Sequence, residues 1–147
     1  MRVSSLRMMV VLTSGVTIAA TLAATSVGAA ELAVGQTLAC APAGVVAVVG
    51  RLDSGGKDGA TIASVSLFDN RAGTKIKVLG HIPVDAKILA TSCPKTQAAQ
   101  ALDPNFESGY AQWRQAFENG SGGYFTISVS EILDVAKKTM SEAGAPQ

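Results

Sequence analysis

One histidine, two cysteines and eleven carboxylates are the side chains here best suited to chemistry. Acyl transfer needs a nucleophile, a base and an acid that orients the base. His81 is the only imidazole, and the nearest acid downstream is Asp85. A hydrolase built on this chain would therefore use His81 as base with a neighbour such as Asp85. Against it stand the absence of a G-x-S-x-G nucleophile turn and the scarcity of partners around a lone strand histidine.

Other chemistries fit less well. Paired carboxylates could serve glycoside hydrolysis, but the acids are scattered and none stands out by context. Asp53 and Asp58 flank the glycine-rich stretch "RLDSGGKDG", which reads as a solvated hairpin turn. The same stretch lacks the Gly-Lys-Ser/Thr order of a phosphate loop, and no D-x-D-x-D-G calcium pattern occurs. His81, Cys40 and Cys93 offer at most three soft ligands, with no C-x-x-C or H-x-x-x-H spacing. No metal and no cofactor is expected. "NGS" at Asn119 fits a glycosylation sequon, relevant only in a host with that pathway.

The cysteines have a structural reading. "MRVSSLR" carries two arginines, Met8 to Ala30 carries no charge, and Gly28-Ala29-Ala30 precedes Glu31. This is the layout of a secretory signal peptide, with cleavage expected after Ala30. A retained anchor is the alternative, since the uncharged run is long enough to span a bilayer; its Ala, Thr, Ser and Gly content argues against that. Residues 31–147 are then expected to form one mature domain, secreted or periplasmic, with no membrane span. In an oxidising compartment Cys40 and Cys93 pair as a disulfide. Acylation of Cys40 in "TLAC" is the competing reading, weakened by the polar residues before it.

Charge narrows the partners. The mature chain holds ten Lys and Arg against eleven acids, net −1. Neutralising phosphates takes concentrated cations, and the densest basic spot is the pair Lys137-Lys138 near a helix end, where it suits the dipole. Nucleic acid is excluded.

The elements follow from periodicity. "GVVAVVG", apolar on both faces, reads as a central strand. "ATIASVSLF" and "TKIKVLGHI" complete an antiparallel meander of three strands, with Lys75, Lys77 and His81 on one outward face and Ile76 and Val78 inward. Residues 83–93 fit either a short helix capped by Asp85 or a fourth strand. Asp103-Pro104 starts a helix that Asn119-Gly120 stops. Phe106, Tyr110, Trp113 and Phe117 fall within an arc of roughly 60° on it, a stripe that docks on a sheet or, less simply, serves as a stacking platform. "YFTIS" follows as a strand. Ser128 and Glu131 form a capping box for a last helix lined by Ile132, Val135, Ala136, Thr139, Met140 and Ala143 and closed by Gly144. The fold class is α+β: a small antiparallel meander packed by an aromatic-striped helix, then a strand and a C-terminal helix.

Three function classes remain. The favoured one is a non-catalytic binding or accessory protein of the cell envelope or secreted space, meeting a protein or small ligand through the 53–59 turn (Asp53, Lys57, Asp58) and the 119–124 turn with Tyr124. The rivals are the His81 hydrolase and a purely structural envelope component.

Overall fold

Valine-rich runs between glycine turns build the sheet, because β-branched side chains pack well on a pleated surface. The computed structural model describes residues 31–144; the expected signal peptide over 1–30 lies outside them. The strands are β1 (Thr37–Cys40), β2 (Val45–Asp53), β3 (Ile62–Asp69), β4 (Val78–Asp85) and β5 (Lys95–Thr96). They form one antiparallel sheet in the order β4-β3-β2-β1-β5. The expected meander is β2-β3-β4, and β1 and β5 extend it. Residues 45–50 of β2 are all buried, as a strand covered on both faces must be.

The two faces carry different chemistry. On one, Ala47, Val49, Val65, Leu67 and Val84 pack against Leu89 of α1 (Ala86–Ser92) and Val129, Ile132 and Leu133 of α3 (Val129–Ala143). Cys40 and Cys93 lie in this aliphatic cluster and are joined as a disulfide. The other face presents Ser64, Ser66 and His81 to α2 (Phe106–Glu118). Phe106 and Trp113 are buried there, and Tyr110 and Phe117 are half-buried. Each fully buried side chain of this size contributes roughly 2–3 kcal/mol of apolar transfer energy, so the stripe is chiefly what holds α2 to the sheet.

Local signals explain the helix ends. Asp85 settles residues 83–93 in favour of a helix: its Oδ1 accepts from the backbone N–H of Lys87 (2.8 Å) and Ile88 (3.2 Å), satisfying two donors that the first turn leaves open. The Ser128–Glu131 capping box forms in both directions, and Gly144 closes α3. α2 begins later than Asp103 would place it. The Asp103 N–H donates to Ser66 Oγ on the sheet and its Oδ1 accepts from Asn105 N, so Asp103 anchors the approach and the helix opens at Phe106.

Three other expectations change in form. Lys75 and Lys77 lie in the loop before β4, and Val78 is exposed. The segment after the 119–124 turn contributes one parallel bridge, Phe125 beside Val84, with Asp85 N donating to Phe125 O and Phe125 N to Pro83 O. On α3 the buried residues are Val129, Ile132 and Leu133, whereas Val135 and Met140 of the expected stripe are exposed.

Candidate functional site

His81 does not face solvent beside the lysines. It sits under α2, its ring 5.5–5.9 Å from those of Phe106, Tyr110 and Trp113. The helix comes this close because residue 109 is glycine: a Cβ there would stand 2.7 Å from His81 Cβ. Nε2 of His81 is 3.0 Å from Ser64 Oγ. Burial lowers the His81 pKa to about 4, against an opposing pull from the Asp53 carboxylate.

A serine and a histidine in contact resemble a nucleophile and its base, but Ser64 has no exposed surface, and a nucleophile must reach its substrate. Asp85 is occupied in capping α1 and does not act on His81. The carboxylate that does is Asp53, which accepts from Tyr110 Oη (3.1 and 3.2 Å) and pairs with Arg114 at 3.5 Å. Burial, then Asp53, push the Tyr110 pKa up. These groups are committed to one another, and the arrangement is that of a polar clamp on α2.

The clamp has a pH signature. An unfolded histidine takes up a proton near pH 6.5, and the folded one resists until about 4. Above 6.5 both states are neutral and stability is full; as pH falls towards 4 the unfolded state alone gains protons and stability is lost. The loss amounts to at most about 3 kcal/mol, less because water still reaches part of the ring. Urea midpoints measured from pH 7.5 to 4 should fall through this window, and His81→Gln should flatten the fall. A wild-type profile already flat between 6.5 and 4 would refute the account. Asp69, fully buried and held to about pKa 2 chiefly by hydrogen bonds from the Arg71 side chain, adds acid lability only below its ordinary value of 3.8, a separate window.

The loop residues behave differently. Lys57 and Asp58 stand exposed on a single 3₁₀ turn, Lys57–Gly59, with Asp58 at φ 56°, ψ 31°. Non-glycine residues seldom adopt the left-handed region, and Asp tolerates it better than most. Neither Lys57 nor Asp58 takes part in an ion pair among the described residues. Tyr124 reaches across from the other turn: its hydroxyl accepts from Lys57 N at 2.8 Å. Trp113 Nε1 donates to Gly123 O at 2.7 Å, fixing the 119–124 turn to α2. The two turns thus form one surface, and Tyr124 is half-buried as its tie.

Beside this surface lies a cleft of about 450 Å³ whose walls include Lys57, Asp58, Thr61, Asp85 and Lys87, over Leu32 and Leu52. Sequence reasoning named Lys57 and Asp58 on one turn and Asp85 apart from them, and the fold sets all three around one cavity. It missed Lys87, and Leu32 with Leu52 as the floor. An exposed lysine and single leucines give no local signal, and only the packing of α1 against the hairpin assembles them. Asp53 lies on the α2 side, apart from this cleft, in the clamp.

Among the described residues no three of His, Cys, Asp or Glu gather as a metal site would require, and no helix is long and apolar enough to cross a membrane. No protein-family model matches the chain, and no curated protein or solved structure does either.

Proposed function

We propose that this is a non-catalytic binding module, exported to the cell envelope or secreted, and that the loop cleft beside Lys57 and Asp58 receives its protein or small-ligand partner. The observation that carries the reading is the Tyr124–Lys57 hydrogen bond, which joins two turns 67 residues apart into one pre-shaped surface. Around it both signs of charge stand free over an apolar floor. Binding sites of this kind combine an apolar base with a few placed polar groups, and loops on a rigid scaffold are where binding residues concentrate. The disulfide supports export, since such bonds persist in oxidising compartments. No observation favours the hydrolase, whose serine is sealed and whose acid is engaged elsewhere.

Photo-crosslinking in the producing cell tests this. A crosslinking residue at position 57 should give a discrete adduct that a residue at the exposed Lys95, at the far edge of the sheet, does not. Asp58→Ala should abolish the adduct. Tyr124→Phe, which removes one hydrogen bond, should weaken binding about fivefold. Equal adducts from both positions, or none at position 57, would overturn the proposal.

A further inference from the structure

A second cleft, larger than the first at about 760 Å³, opens between the loop from Arg71 to Ile76 and the last turns of α3. Its volume lies in the range of small-molecule sites. Among the described residues the lining carries three cations, Arg71, Lys75 and Lys137, and no carboxylate, while Asp134 of α3 lies near enough to act on the Arg71 guanidinium. Arg71 is not free, because its Nε and Nη2 donate to the two oxygens of Asp69 at 2.8 and 2.7 Å. Lys75 and Lys137 make no ion pair among the described residues. The floor is apolar: Ile76 is buried, while Met140 is 57 % exposed, the kind of flexible side chain that adapts to a chain laid against it.

The wall is built before any ligand arrives. Asp69 N donates to Lys77 O and Asn70 N to Gly44 O, both at 2.9 Å. Thr74 Oγ1 donates to Ile76 O, and Lys77 Nζ to Arg71 O, each at 3.2 Å. The loop therefore holds Lys75 on a fixed frame, opposite a helix that carries Lys137. Three cations, one of them neutralised, are too few for a nucleic acid backbone. With Met140 the only exposed large apolar side chain among the described residues of the lining, the surface also lacks the broad apolar face that lies in a bilayer. Two unpaired ammonium groups over a narrow apolar floor match one acid head on one chain.

We propose that this cleft binds a single-chain amphiphilic anion, its acid group between Lys75 and Lys137 and its alkyl chain over Ile76 and Met140. The inference is independent of the loop cleft and of the function proposed for it.

The probe is dodecanoate, titrated below its micelle concentration into the purified protein and followed by calorimetry and by amide shifts. Saturable binding with shifts at residues 71–76 and 137–144 is expected. Lys75→Ala with Lys137→Ala should weaken it about tenfold, as the loss of two solvent-accessible charge contacts implies, and Met140→Asp should remove it. All three positions are surface ones, and an unchanged thermal midpoint identifies variants that remain folded. Acetate should not saturate, and dodecyl maltoside should bind far more weakly. The inference fails if dodecanoate does not saturate or binds the variants as well as wild type. It fails equally if the uncharged detergent matches dodecanoate, or if the protein binds only vesicles of anionic lipid.

Discussion

Phe106→Ala is expected to cost about 4 kcal/mol, in the usual range for deleting a fully buried ring. Gly50→Ala should cost about 1–3 kcal/mol, the range for overpacking a core, although it adds only a methyl group. Gly50 is the extra residue where the pairing of β2 with β3 shifts between Val49 and Arg51, and the edge of the Phe106 ring fills the space a side chain would need. A Cβ there would stand 2.6 and 2.8 Å from Phe106 Cε1 and Cε2. The ring is enclosed and cannot swing aside, so α2 must lift. Because both changes act on one contact, they should not add: the double variant should be at least about 1 kcal/mol more stable than the sum of the singles implies. Urea unfolding of the four proteins measures this. A Gly50→Ala variant within about 0.5 kcal/mol of wild type would show that α2 is not seated as described.

Replacing Cys40 and Cys93 with alanine should cost about 4 kcal/mol, from the loop entropy returned to the unfolded chain over a separation of 53 residues. Both residues are buried in the aliphatic cluster, so some packing is lost as well. The check is the urea midpoint with and without reductant, compared with the double-alanine variant. Wild type under reduction should approach the variant, and a variant as stable as the oxidised protein would contradict the assignment of a stabilising role.

Much of this architecture was legible because it rests on local chemistry. The four aromatics at helical spacing, the Ser128–Glu131 box and the Asn119-Gly120 stop are short-range signals, and each marks what it appeared to mark. β1 was hidden because four residues, "TLAC", cannot show a period, and β5 has only two. His81 was misdirected for a definite reason. Its face was inferred by counting from Lys75 and Lys77, but those residues precede the strand, and alternation holds only within it. Whether its face is wet then depended on where α2 docks, a non-local fact. The same holds for the loop cleft: Lys57 and Asp58 were marked by their glycine turn, whereas Lys87 becomes a neighbour only when α1 folds back along the hairpin.

The sheet divides two kinds of vulnerability. The disulfide belongs to the aliphatic side, under α1 and α3, and the protonatable imidazole to the aromatic side, under α2. Reductant and acid therefore weaken the one fold from opposite sides of the central strands, each by favouring the unfolded chain. An environment that is acidic yet oxidising, or reducing yet neutral, would remove one of the two contributions, and one that is both acidic and reducing would remove both. Two features of the surroundings thus draw on one reserve of stability.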